Sequence, residues 1–157
     1  GPISLKAKGE QVTSKLFDCF IEYEFECEYA NGIKLIGTSE GDRGLKLVGD
    51  DGWIFIHIHG GRLEASNPEI LQSRIGPNEI HTQYSPGHHR NFLDAVKSRR
   101  RAIAHEEIGH RTATICHLLN IAMLLEKPIS WDPQKEISTD DEINKMLKRP
   151  TRSPWRL

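Results

Sequence analysis

From Phe17 to Tyr29 the chain alternates with period two. Phe17, Cys19, Ile21, Tyr23, Phe25, Cys27 and Tyr29 share one parity. Asp18, Glu22, Glu24, Glu26 and Glu28 share the other, with Phe20 the exception among them. A helix repeats every 3.6 residues and cannot sort side chains this way, so the run predicts a long strand with one apolar and one acidic face. Phe20 is expected among the glutamates. The acidic face must be wet or paired, and the apolar face must be covered by helices or by another chain. Asn31-Gly32 reads as a two-residue hairpin turn, with residues 33–38 returning as the next strand.

Shorter strand signals follow at residues 44–48, 53–58 and 62–65, separated by Gly49-Asp50-Asp51-Gly52 and Gly60-Gly61. Asn67 and Pro68 suit the N-cap and first position of a short helical turn. The period then changes. Residues 86–98 carry Phe92, Ala95 and Val96 as a helical stripe. Residues 106–125 repeat Ile108, Thr112, Ile115, Leu119 and Ala122 at steps of four and three. Pro128 ends that helix, residues 129–132 read as a last strand, and Thr139 with Glu142 reads as a capping box. Strands first and helices later give an α+β fold: a mainly antiparallel open sheet packed by C-terminal helices, in a single domain over residues 1–157.

The charge balance excludes some partners. The net charge is −1, so no overall field draws the chain to nucleic acid or membrane. No apolar run approaches the roughly 18 residues of a membrane span. The basic run Lys97 to Arg101 suits a helix C-terminus better than nucleic acid, because no aromatics interleave it. Localisation stays open: no signal peptide is visible, and Gly1-Pro2 without an initiating Met reads as part of something larger. Cys19, Cys27 and Cys116 read as free thiols.

Chemistry-bearing motifs are sparse. No G-x-G-x-x-G follows a strand and no Walker loop is present. Among eight histidines, His110 and His117 lie two helical turns apart, and no H-x-x-x-H or C-x-x-C occurs, so no metal site is expected. His57 and His59 share a parity, with no orienting carboxylate visible in sequence.

Several stretches taken together resemble one family. They are residues 88–99 (HHRNFLDAVKSR), 107–113 (EIGHRTA), 120–122 (NIA), 131–133 (WDP) and 149–155 (RPTRSPW). In this order they resemble the C-terminal region of Gfo/Idh/MocA oxidoreductases, of a bacterial, planctomycete-like branch. The resemblance implies an open antiparallel sheet that shapes a substrate pocket and joins copies into a homo-oligomer through its face. It implies NAD or NADP held by a Rossmann domain that is absent here, and a sugar or polyol as substrate. The family's catalytic Asp/His pair, four residues apart, has no counterpart, and no catalytic residue is assigned. Glu126-Lys127-Pro128 matches the family's catalytic tripeptide only by coincidence of letters, and Lys127 reads as a solvated charge. The substrate-facing candidates are His88, His89 and Arg90 at a helix N-terminus, then His110 and Arg111. The implied role is the substrate-side and assembly part of an NAD(P)-dependent oxidoreductase, inactive alone. The rivals are part of an NAD-using lyase or glycoside-cleaving relative, and a non-catalytic binding module.

Overall fold

The computed structural model describes residues 1–14, 16–59 and 61–154. Gly60 and Trp155, used in the reading above, lie outside the described residues. In chain order the elements are β1 (Ser4–Gln11), β2 (Phe20–Glu28), β3 (Lys34–Thr38), β4 (Gly44–Gly49), β5 (Gly52–His57), β6 (Leu63–Ala65), α1 (Pro68–Gln72), α2 (His88–Ser98), α3 (Glu106–Leu125), β7 (Ile129–Asp132), β8 (Ile137–Ser138) and α4 (Asp141–Met146). Contacts divide them into two units, Gly1–Glu40 with Ala104–Leu157, and Gly41–Ile103. The α+β expectation holds: among the described residues every strand pairing is antiparallel, and the longest helix follows β1–β6 and precedes the short β7 and β8.

The first unit is a five-stranded sheet in the order β3-β2-β1-β7-β8. Leu5 lies opposite Cys27 and Ile129, and Cys27 lies opposite Leu35. These side chains face α3, whose Leu118, Leu119, Ile121 and Ala122 complete a core with Trp131 and Ile143. Each fully buried leucine or isoleucine contributes about 2 kcal/mol by leaving water. Burial also pushes the Cys27 thiol up to about 11, so it stays protonated and packs as a small apolar group. The predicted second covering helix, α2, belongs to the other unit.

Phe20 is not among the glutamates. Glu10 pairs with Glu22 but Gln11 pairs with Phe20, so Ile21 is an extra residue on β2. This bulge reverses the parity of everything before it. It swings Phe20 to the helix side, where its ring and the Met123 sulfur converge on Gly9. A Cβ on Gly9 would lie 2.8 Å from the Glu22 carbonyl oxygen and 2.9 Å from Met123 Sδ. Glycine is therefore what lets α3 approach the middle of the sheet.

The opposite face explains the acidic parity. Lys6 lies across from Glu26 and Lys8 across from Glu24, with ion pairs of 3.0 and 2.6 Å. Lys34 adds a third, 3.0 Å from Glu26. Glu24 and Glu26, the middle of the glutamate row, are paired within their own sheet, while Glu22 lies across from Glu10.

Local corrections follow from hydrogen bonding. Past β2 and β3, Tyr29 N–H still donates to the Ile33 carbonyl at 2.9 Å, so the turn is three residues, 30–32, rather than two. Gly32 N–H donates to the Tyr29 carbonyl at 2.9 Å, and Gly32 takes φ 83°. The last helix is capped by Asp140, not Thr139: the Asp140 carboxylate accepts from Glu142 N–H at 2.8 Å. Lys127 is not merely solvated. Its ammonium lies 2.7 Å from Asp140 and 2.6 Å from Glu142, tying the end of α3 to the start of α4.

The second unit holds a three-stranded sheet, β4-β5-β6, with α1 against β6. Asn67 caps α1 as expected, accepting from Glu69 N–H at 3.0 Å. Leu45, Leu47, Ile54, Ile56 and Leu63 share one face by register, and Lys46, Val48, Trp53, Phe55 and His57 share the other.

Candidate functional site

The first candidate group begins α2. Gly87 is the N-cap at φ 117° and offers no side-chain acceptor. The first turn therefore lacks a capping side chain, and His88 and His89 on it are exposed. Arg90 is partly committed, donating from Nε to Asp94 at 3.1 Å one turn on. Asn91 reaches back to accept from Ile103 N–H at 2.9 Å, which fixes the helix against the segment that follows it.

The second group lies in the first unit, where α3 meets the β7–β8 loop. Asp132 starts the loop and accepts from the N–H groups of Gln134 and Lys135, each at 2.9 Å. Those bonds hold its carboxyl below its ordinary value, Lys135 acting first and Gln134 second. The loop ends on Glu136 in the left-handed region, φ 56°. For a residue with a Cβ that conformation costs about 1 kcal/mol. Here it aims the carboxylate at α3. Glu136 Oε1 lies 2.6 Å from His110 Nε2 and 3.2 Å from an Arg111 terminal nitrogen. Arg111 also donates to the Pro133 carbonyl at 2.5 Å and from Nε to Glu107 at 2.8 Å. His110 and Arg111 thus converge on one carboxylate, and Arg111 joins this loop to its own helix. Sequence reading missed Glu136, because its partners lie 25 and 26 residues away and no periodicity reports them.

A third grouping surrounds His57. Its Nε2 lies 3.0 Å from Glu64, and Arg62 also bonds Glu64. The orienting carboxylate not visible in sequence sits across the hairpin. The Phe55 ring meets the imidazole edge-on, with centroids 4.6 Å apart. No three His, Cys, Asp or Glu side chains group as metal ligands among the described residues.

A groove of about 460 Å³ runs beside β1, lined by Lys6, Lys8, Glu24, Glu26, Ile36 and Pro128 among others. Lys6, Lys8, Glu24 and Glu26 are already ion-paired across the strands, so this wall offers stems and satisfied charges rather than free donors.

A family model described as the oxidoreductase family, C-terminal α/β domain, of the Gfo/Idh/MocA group, matches residues 2–157. The chain belongs to that family. No curated protein and no solved structure matches it. This Gfo/Idh/MocA C-terminal domain can be tested against the nicotinamide dinucleotide that its family uses. A dinucleotide needs a parallel strand, a glycine turn and a helix N-terminus for the pyrophosphate. Every pairing among the described residues is antiparallel. The helices that directly follow strands, α1 and α4, start at Asn67 and Asp140 without an intervening glycine. Asp140 would repel a phosphate. The described residues do not fit the dinucleotide.

The charge pairs set an acid limit on this domain. Asp140 is held low first by Lys127, Glu26 first by Lys34, and Glu107 first by Arg111. With Asp132, these groups release protons more readily folded than unfolded. Their stabilisation is complete above the ordinary values of 3.8 for Asp and 4.5 for Glu, and is lost as pH falls through the lowered folded values. Thermal melts should be nearly flat from about pH 7 to about pH 5 and should drop steadily below that. A melting temperature unchanged down to about pH 2 would contradict the assignment.

Proposed function

We propose that this domain is the substrate-side and assembly part of an NAD(P)-dependent oxidoreductase acting on a sugar or polyol. The observation that carries the reading is the match to the family's C-terminal domain over residues 2–157. The nucleotide would be held by a separate Rossmann domain. This chain's own contribution would be to present donors to hydroxyl groups. His88 and His89, with the uncapped first turn of α2, supply N–H groups and imidazoles suited to a hydroxyl-rich ligand. Arg90 is braced by Asp94. His110 and Arg111 would act from the other unit by fixing the β7–β8 loop through Glu136. The assembly role would use the open face of the five-stranded sheet, where the lysine–glutamate rows could meet their own copy with charges offset.

Two measurements test the reading. Calorimetric titration of this chain with NAD or NADP should give no saturable heat, and a micromolar dissociation constant would overturn the division of labour. In a protein carrying both domains, His89→Ala should raise KM for the polyol about tenfold, the weight of one or two hydrogen bonds, and leave cofactor affinity unchanged. An unchanged KM would remove the α2 N-terminus from the substrate site.

A further inference from the structure

We propose that β4 is an assembly edge, at which two copies of this chain join antiparallel, strand to strand, into one six-stranded sheet. This surface is different from the sheet face invoked above and does not depend on that reading. β4 ends its sheet, and all of its residues are exposed. The Arg43 carbonyl accepts from Ile58 N–H at 3.2 Å. By the alternation of an antiparallel ladder, Leu45 and Leu47 then bond inward to Ile56 and Ile54. Gly44, Lys46 and Val48 turn their N–H and C=O groups outward.

Edge strands are ordinarily protected by a proline, a bulge or a lysine standing in solvent. β4 has no proline, and its register with β5 is unbroken from Gly44 to Gly49. Its one lysine is drawn aside, with Lys46 Nζ 4.3 Å from the centre of the Trp53 ring. The strand carries half-exposed Leu45 and Leu47 on the face shared with Ile54 and Ile56, and Val48, 75% exposed, on the other.

Self-complementarity argues for a second copy as the occupant. Opposed residues must share a face, so a two-fold axis has to pass through a residue. An axis at Lys46 sets that lysine against itself, which is unfavourable. An axis at Leu47 sets Leu47 against Leu47 and Lys46 against Val48. Both outward residues then exchange backbone hydrogen bonds, and the apolar face runs on across six strands. The same register carries Arg43 of each copy to the Asp50-Asp51 turn of the other. Among the described residues, Arg43, Asp50 and Asp51 make no ion pair within their own chain.

Light scattering on the eluting chain at ~50 μM should give a dimer mass, a concentration suited to a weak, micromolar interface. Val48→Pro removes only an outward N–H and leaves the β4–β5 bonds intact, so it should give a monomer with an unchanged circular dichroism spectrum. Arg43→Asp should weaken the dimer about threefold to tenfold, and adding Asp51→Arg should restore it. A monomer mass for the unaltered chain overturns the proposal and leaves the edge to some other partner. A dimer that survives Val48→Pro also overturns it. If that dimer is instead lost on Lys8→Glu, the open sheet face is the interface. Should Val48→Pro fail to fold, the reversal pair decides, and a dimer indifferent to Arg43→Asp overturns the edge.

Discussion

Leu118→Ala is expected to lower the unfolding free energy by about 3–5 kcal/mol. Leu118 is 1% exposed and belongs to a small core, nine buried hydrophobic residues among those described. Truncation removes the transfer free energy of the lost carbons and leaves a cavity that few neighbours can fill. Leu5, Cys27 and Ile129 belong to paired strands and cannot move in without breaking ladder bonds. Domains of this size are stable by only about 5–15 kcal/mol, so the loss would be a large share of the total. Urea denaturation followed by far-ultraviolet circular dichroism measures it directly. A midpoint shift worth less than about 1 kcal/mol would mean that α3 does not pack as described.

Gly9→Ala is expected to cost about 2–3 kcal/mol, an unusual result for a single added methyl. Such a substitution in a strand would normally be neutral or slightly helpful, because it restricts the unfolded chain. Here the methyl meets a backbone carbonyl oxygen, which cannot rotate away, besides the Met123 sulfur and the Phe20 ring. A second variant separates the two obstacles. Gly9→Ala combined with Met123→Ala should recover only part of the loss, since the Glu22 carbonyl stays in place. Full recovery would show that the side chain alone sets the spacing between α3 and β1.

Much of the fold could be read because local pattern and tertiary demand agree. The bounds of the 106–125 helix were legible, but its buried face was legible only in part: Leu119 and Ala122 of the expected stripe enter the core together with Leu118 and Ile121, while Ile108 and Thr112 stay exposed. Asn67-Pro68 announced α1 by its own chemistry. The misreadings have one physical origin. Period-two reasoning assumes an uninterrupted strand, and Ile21 interrupts it, so Phe20 was placed on the wrong face. Asn31-Gly32 carries the composition of a two-residue turn, but the strand register needed a third residue. Site geometry was harder still. His110 and Arg111 stood out as polar residues near a helix start. What they touch is decided by a loop that reaches α3 only after β7 has paired with β1. His57 and Glu64 lie seven residues apart across a short turn. That pair was within reach of a hairpin alignment, had β5 and β6 been set in register beforehand.

The central place of β1 governs the order in which this chain can acquire structure. Ser4 pairs with Ser130 and Leu5 with Ile129, so β1 finds one of its two neighbours only far along the chain. Closing so long a loop is slow, and its entropy must be spent before the contact returns anything. Until β7 emerges, one edge of β1 is bare and Leu5 has neither Ile129 nor Leu118 over it. A ribosome-bound chain would therefore carry a finished β1–β2–β3 meander with an open, sticky flank. The second unit, whose residues Gly41–Ile103 come between the two segments of the first in sequence, is free to fold during that wait. Refolding of the isolated chain should accordingly be slower for the signal of Trp131 than for the hairpins of the second unit, and most prone to aggregation in the interval between them.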